Sequence, residues 1–320
     1  MRALVTGAAG FIGSHLSRAL VAEGHAVRGL DDLSDALPGS LDDVPELDLI
    51  QADLRDPAAV TDAARGADVI FHLGAKRSVA RSLESPIDTT ATNVLGTLHV
   101  VLAAREHGAR MIASSSSSVY GDQPRLPLVE SMRPAPISPY GASKLAAEAI
   151  VESAWRSYRI PAISLRYFNV FGPGQDPANE YSAVIPRFVD ACLSGARPTI
   201  DGDGGQSRDF TFIADVLDAN LRAVTAGADA QGEAFNIGGG SPIEIRRLLE
   251  LIGDVVDVDP HPVHGPPRPG DVRRTHADVS RAAVLLGWRP RVALREGLTR
   301  TIAALRGRIG DRSAQVPRSA

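Results

Sequence analysis

Tyr140 and Lys144 stand four residues apart in "YGASKLAAEAIVESAW". The spacing of its apolar residues predicts a helix, so both side chains project from one face. An unperturbed tyrosine has a pKa of about 10 and is no base near neutrality, but a neighbouring ammonium favours the phenolate and draws that value down. The pair is therefore equipped to take a proton from a hydroxyl. Ahead of it runs "ASSSSSVYG", Ala113 to Gly121. Five consecutive serines could be a solvated linker, but they follow the apolar Met111, Ile112 and Ala113 and place Ser116 24 residues before Tyr140. That position suits the end of a strand carrying hydroxyls up to the tyrosine.

The elements that would position these groups are legible upstream. Short apolar runs at Ala3 to Thr6, Ala26 to Leu30, Leu47 to Gln51, Val69 to His72, Met111 to Ser114 and Ala162 to Arg166 alternate with stretches of helical period such as Ser14 to Glu23 and Asn93 to His107. That alternation predicts an α/β fold, a Rossmann-type doubly wound parallel sheet, over residues 1–170. Beyond it, Gly- and Pro-rich loops alternate with short helices around 182–194, 213–226 and 242–252. These predict a smaller mixed substrate-binding domain over 171–308, with some chain returning to the first part. Residues 309–320 lack periodicity and are expected to fray as a flexible tail.

"VTGAAGFIGSHL" sets Gly7, Gly10 and Gly13 between the first strand and first helix. There a glycine turn and a helix N-terminus together accept a pyrophosphate. Asp31 and Asp32 close the second strand; a carboxylate there accepts from ribose hydroxyls and repels a 2′-phosphate, which favours NAD over NADP. Asp53 and Leu54, after the third strand, suit the adenine or, equally, an ordinary helix cap.

Composition narrows the class. Hydrophobic residues at 44% and charged residues at 22% are ordinary globular values, and a net charge of -4 argues against a nucleic-acid partner. The single cysteine, Cys192, cannot form an internal disulfide, which fits a reducing compartment. No apolar run reaches the about 18 residues of a membrane span. The expectation is a cytoplasmic protein without a membrane or nucleic-acid partner.

Taken with "FHLGA" at 71–75, "NVLGT" at 93–97, "LRYFNVFGP" at 165–173, "SRDFTFIADV" at 207–216 and "RPGDV" at 268–272, these motifs cover nearly the whole chain. The chain resembles the extended short-chain dehydrogenases/reductases, and among them the nucleotide-sugar 4-epimerases related to UDP-galactose 4-epimerase. The resemblance implies bound NAD held by Gly7, Gly10, Phe11, Ile12, Gly13, Asp31, Asp32, Asp53, Leu54, Leu73, Ala75, Asn93, Ser114, Tyr140, Lys144 and Tyr167, the last near the nicotinamide amide. It implies catalysis by Ser116, Tyr140 and Lys144, with Tyr140 taking the proton of the sugar 4-hydroxyl as C4 gives up hydride. The 4-keto sugar then turns over and receives hydride on its other face. Substrate contacts carried over are Ser116, Ser117, Asn169, Val184, Thr199, Arg208, Arg268, Asp271 and Thr275, with Arg208 and Arg268 on the diphosphate and Asp271 on the uridine ribose; Arg77, outside the family pattern, is a further candidate for the substrate. In relatives the helices matching 92–107 and 141–157 pair into a four-helix bundle, which implies a homodimer.

Dehydratases and decarboxylases of the same fold typically carry an acid where Ser116 or Ser117 stands, so epimerisation is favoured. A redox-sensing binding protein without catalysis would be free to lose Tyr140, Lys144 and Ser116, and all three are present. The departures from the family pattern are the basic cluster Lys76, Arg77 and Arg81, and Asp201, where relatives often have an aromatic. With Thr275 where a bulky tyrosine gate can stand, and with Ser117, Ser118, Lys76 and Arg77 able to solvate a carboxylate, the expected substrate pair is UDP-glucuronate and UDP-galacturonate. Plain and N-acetylated hexoses are the alternatives.

Overall fold

Neighbouring residues in the short apolar runs feed opposite faces of one sheet. Leu4, Ile70 and Met111 enter one buried cluster, while Val5, Phe71 and Ile112 enter the other, as period-two side-chain alternation requires of a sheet covered on both sides. The computed structural model describes residues 1–36, 39–177, 183–268 and 270–314. In chain order the strands are β1 Arg2–Thr6, β2 Ala26–Asp31, β3 Asp48–Gln51, β4 Val69–His72, β5 Arg110–Ser116, β6 Ala162–Tyr167, β7 Val170–Phe171, β8 Thr199–Asp201, β9 Ser207–Arg208, β10 Thr211–Phe212, β11 Ala234–Ile237, β12 Ile243–Glu244 and β13 Val263–Gly265. The α-helices are α1 Phe11–Ala22, α2 Pro57–Ala64, α3 Val79–Glu84, α4 Pro86–Thr90, α5 Gly96–His107, α6 Pro139–Tyr158, α7 Val184–Ser194, α8 Ile213–Val224, α9 Ile245–Val256, α10 Ser280–Leu285 and α11 Leu294–Ala314.

The main sheet has seven parallel strands in the order β11-β6-β5-β4-β1-β2-β3. Chain order reverses at β1, so the carboxyl ends of β1 and β4 open a crevice, the place where such sheets bind ligands. The six expected strands are all present. A seventh, β11, comes from the later part of the chain and pairs with β6 from Ala234 opposite Ser164 to Ile237 opposite Tyr167. The helix expected from Asn93 starts differently: Ala91–Leu95 forms a π-helical turn before α5 begins at Gly96.

The smaller lobe is built on amphipathic helices. Ile245, Leu248, Leu249, Ile252 and Val256 make one buried stripe along α9, the spacing of a helix with a single apolar face. They meet Phe188 and Val189 of α7 and Leu298 and Ile302 of α11 in one cluster. Phe11 and Ile12 of α1 also pack against this cluster, so the helix that opens the glycine turn is anchored in both lobes. The last helix runs to Ala314, into the stretch expected to fray; residues 315–320 lie outside the described ones.

Candidate active site

The start of α6 fixes the reactive tyrosine. The Ser138 hydroxyl caps the helix by accepting from Gly141 N–H at 3.1 Å, and Pro139 occupies the first turn, where its missing N–H costs nothing. The N–H of Tyr140 donates to Ser82 Oγ at 3.1 Å. A Cβ on Gly141 would stand 2.7 Å from the Ser118 carbonyl oxygen, so glycine is what lets α6 press against the 3-10 turn Ser117–Val119. Tyr140 is thereby held buried beside Ser116, whose hydroxyl bears on the phenol and donates to Ser118 Oγ at 3.1 Å.

Burial pushes the Tyr140 pKa up; the Ser116 hydrogen bond and the Arg77 charge oppose it. Lys144 donates from Nζ to the Ser114 carbonyl at 3.0 Å and to Ser114 Oγ at 3.2 Å. Burial draws its pKa down to about 8 against the opposing Glu148 charge. The expectation that Lys144 lowers the phenol pKa is thus modified: Lys144 is directed at Ser114, and the cation bearing on Tyr140 is Arg77. The serine run is the end of β5, as expected, with Ser114, Ser116 and Ser117 on a cavity of about 440 Å³.

At its other end the cavity is walled by the glycine turn. Gly7 has φ +70, and a Cβ on Gly13 would lie 1.9 Å from the Gly7 carbonyl oxygen, so the turn can close only with glycine at both positions. Helix α1 starts at Phe11 with no side-chain cap, leaving its first-turn amides for an anion. Gly7, Gly10, Phe11, Ile12, Gly13, Asp31, Asp32, Asp53, Leu54, Leu73 and Ala75 all line the cavity. Asp31 accepts from Ala9 N–H at 2.9 Å and Leu33 N–H at 2.8 Å, tying β2 to the glycine turn; burial nonetheless raises its pKa. Asp32 lines the cavity just beyond β2; burial is outweighed there by Ser34 hydrogen bonds and Lys76 charge, so its pKa is lowered. Uncapped amides, a cradle a Cβ would fill and an acid at the end of β2 fit NAD.

Two of the carried-over cofactor residues have hydrogen-bond partners within the protein. The Asn93 side chain accepts from Lys76 N–H at 2.8 Å and donates to the Lys76 carbonyl at 3.0 Å and to Ser143 Oγ at 2.9 Å. Its amide is spent clamping the loop after β4 to α6, and it does not line the cavity. Tyr167 lines the cavity, and its hydroxyl donates to Asn220 Oδ1 of α8 at 3.0 Å. Asp53 lies on the cavity with its carboxylate engaged by Arg55.

At the substrate end, Arg77, Asn169, Arg208, Asp271 and Thr275 line the cavity. Arg208 is buried with Nη2 2.6 Å from Asp271 Oδ1; the contact is an ion pair that is not aligned as a hydrogen bond, so Nη2 retains a donor for a phosphate oxygen. Thr275 Oγ1 accepts from Asp209 N–H at 3.1 Å. Val184, Thr199 and Arg268 do not reach the cavity. Val184 packs into the apolar cluster of the smaller lobe, Thr199 pairs with Val263 in the β8–β13 ribbon, and Arg268 Nε sits 2.6 Å from Asp201. The basic cluster splits: Lys76 Nζ is 3.3 Å from Asp32, Arg81 pairs with Asp35 at 2.8 Å, and Arg77 faces the cavity.

Sequence reasoning passed over Gln175, Ile137 and Val272, which line the cavity, because loop residues of mixed type carry no periodic signal. It also passed over Glu148, although the spacing from Lys144 matches that from Tyr140 to Lys144. The chain has two lysines, Lys76 and Lys144, and both line the cavity.

Among the described residues, no helix is long and apolar enough to cross a membrane. Residues 3–238 match the NAD dependent epimerase/dehydratase family. The chain is 41% identical over 315 residues to a UDP-glucose 4-epimerase of Mycolicibacterium smegmatis, covering 96% of this chain and 99% of that one. A solved UDP-glucose 4-epimerase of Thermotoga maritima, with UDP-glucose, superposes with a TM-score of 0.92 at 35% identity, over 97% of this chain and 100% of that one. UDP-glucuronic acid 4-epimerase of Bacillus cereus, in complex with UDP-glucuronic acid and NAD, gives 0.89 at 30% identity, over 96% and 99%. A glycine turn closed on α1, an acid at the end of β2 and a Ser116–Tyr140–Lys144 centre in one crevice agree with that match, and the chain belongs to the NAD dependent epimerase/dehydratase family.

Proposed function

We propose that the protein is a UDP-sugar 4-epimerase and that its substrate pair is UDP-glucose and UDP-galactose. The observation that carries epimerisation is the company of the phenol: Ser116 and Arg77 bear on Tyr140, while the acids lining the cavity, Asp31, Asp32, Asp35, Asp53 and Asp271, come from the cofactor and diphosphate sides. Elimination or decarboxylation would call for an acid or base beside the 4-keto sugar, and the residues at Ser116 and Ser117 are hydroxyls.

Tyr140 accepts the proton of the sugar 4-hydroxyl, with Ser116 holding the same oxygen. Bound NAD supplies the hydride acceptor and later the hydride donor. The proton held on Tyr140 Oη returns to O4 after the sugar has turned, so no external acid is consumed. Arg208 and Asp271 hold the nucleotide while the sugar turns, with the guanidinium on the diphosphate.

The sugar choice draws support from Lys76. A uronate would be favoured by two cations at its carboxylate, and Lys76 is engaged on the cofactor side with Asp32 and Ser34. Similarity to the Mycolicibacterium and Thermotoga enzymes points the same way. Arg77 on the cavity wall favours UDP-glucuronate as the second reading. The deciding experiment measures kcat/KM for UDP-galactose, UDP-glucuronate and UDP-N-acetylglucosamine on one preparation, with products identified by NMR. A tenfold advantage for the uronate or the acetamido sugar would overturn the hexose reading.

A further inference from the structure

Ser115 points the opposite way from Ser114 and Ser116. It is buried, and its hydroxyl donates to Glu148 Oε1. Glu148 lies one turn beyond Lys144 on α6, on the same face. Its carboxylate takes two donors from Arg166, Nε to Oε1 and Nη2 to Oε2, both at 2.8 Å. Arg166 sits on β6 directly opposite Ser115 in the sheet register and also donates from Nη1 to the Tyr120 hydroxyl at 2.9 Å. The paired side chains are only 7% and 8% exposed. Taking two charges out of water is costly, and a buried pair is weak support for stability by itself. Its location suggests another use.

We propose that Glu148, gripped by Arg166 and Ser115, is the positioning residue of the catalytic lysine: it ties α6 to β5 and β6 and supplies the negative charge that faces the Lys144 ammonium. The inference rests on the roles of Tyr140 and Lys144 given above and not on the identity of the sugar. The groups facing Lys144 are few. Ser114 of β5 accepts from it, His72 of β4 is neutral, Tyr140 and Glu148 share its helix, and Arg166 of β6 stands behind Glu148. Burial drives Lys144 toward its neutral form, and Glu148 opposes this. A neutral Lys144 leaves the cavity wall at Ser114 without its ammonium.

Because Lys76 is the other lysine of the chain, full-length NAD-bound protein carrying 13C-labelled lysine gives two side-chain signals, and the Lys144 titration can be followed directly without any sugar. In Glu148→Gln the Lys144 midpoint should fall by about one pH unit. The alkaline limb of kcat should fall with it while KM stays within twofold. Arg166→Gln, which leaves the carboxylate unshielded, should move the midpoint upward, so the proposal stays open to test if either variant fails to fold. A Lys144 midpoint unmoved in a folded variant, or moved in the opposite sense, overturns the proposal. If the wild type epimerises no UDP-hexose, the substrate reading falls while the lysine titration still decides this one.

Discussion

Lys76 Nζ lies 3.3 Å from Asp32 Oδ2 and 2.6 Å from Ser34 Oγ, so this ammonium belongs to the loop after β2. Adjacent residues Lys76 and Arg77 therefore serve different ends of the cavity. Lys76→Met should leave the ratio of kcat/KM for UDP-glucuronate over UDP-glucose within about twofold, whereas Arg77→Ala should lower that ratio about tenfold by removing a charge-assisted contact to a carboxylate. Steady-state kinetics on both sugars checks the split, and an equal effect of the two substitutions would contradict it.

Arg77 has a second consequence at the phenol. Its charge opposes the upward push of burial on the Tyr140 pKa, so its removal makes the phenolate harder to form. The acidic limb of kcat against pH should move to higher pH in Arg77→Ala. A limb that stays in place or moves down would show that Arg77 does not act on Tyr140.

Tyr140→Phe keeps the ring and deletes the proton acceptor. Turnover should fall at least about 100-fold, the usual contribution of a positioned general base. NAD should still co-purify, because the glycine turn and Asp32 are untouched. Near-normal turnover would remove Tyr140 from its role, and loss of dinucleotide would show a structural failure instead.

His72 is fully buried between two threonines, with Thr6 Oγ1 2.8 Å from Nδ1 and Thr97 Oγ1 2.9 Å from Nε2. Thr97 already gives its hydroxyl proton to the Asn93 carbonyl at 2.6 Å, so it can only accept from His72, which places the ring proton on Nε2 and leaves Nδ1 to accept from Thr6. Burial, reinforced by the Lys144 charge, lowers the His72 pKa from 6.5 to about 3. A depressed folded pKa means that unfolding takes up a proton below the unfolded value. Its contribution is therefore complete above pH 6.5 and is lost as pH falls from there toward 3, at up to about 1.4 kcal/mol per pH unit. Denaturant melts across that window should show a shallower pH slope in His72→Gln than in the wild type; equal slopes would count against a buried neutral imidazole.

Leu95, Leu98 and Leu102 are 44%, 38% and 43% exposed on and just before α5, and Tyr158 at the end of α6 is 46% exposed. An apolar row of this kind on two neighbouring helices is what a second copy would cover. Light scattering at micromolar concentration should give twice the chain mass, and Leu98→Glu with Leu102→Glu should give the monomer. A monomeric wild type would end the dimer reading.

Much of the cofactor end is legible in the sequence because its determinants are local. A strand, a three-glycine turn and a helix occupy consecutive residues, and Asp31 and Asp32 follow at the end of the next strand. The pair Tyr140 and Lys144 is legible for the same reason, since one helix fixes both. Contacts made across the fold are not. The Tyr167 hydroxyl is claimed by Asn220 of α8, and the Asn93 amide by the backbone of Lys76 and by Ser143; the choice depends on packing between elements far apart in the chain. Strand β11 escaped notice because its 4 residues run straight into "GGG". So short a run gains its identity from pairing with β6 rather than from its own pattern. Arg268 looked free for a phosphate because its partner Asp201 stands on β8, far back in the chain from the loop after β13.

The confinement of both lysines to the cavity bears on how the protein can be handled. Its outer face carries guanidinium groups, which do not react with activated esters or aldehydes under mild conditions, and no side-chain amine. Amine-directed coupling to a bead, a dye or a sensor surface therefore has the α-amino group as its target outside the cavity. Any second label per chain marks Lys76 or Lys144, and protection against that label by dinucleotide or nucleotide sugar turns an ordinary tagging reaction into a measure of cavity occupancy.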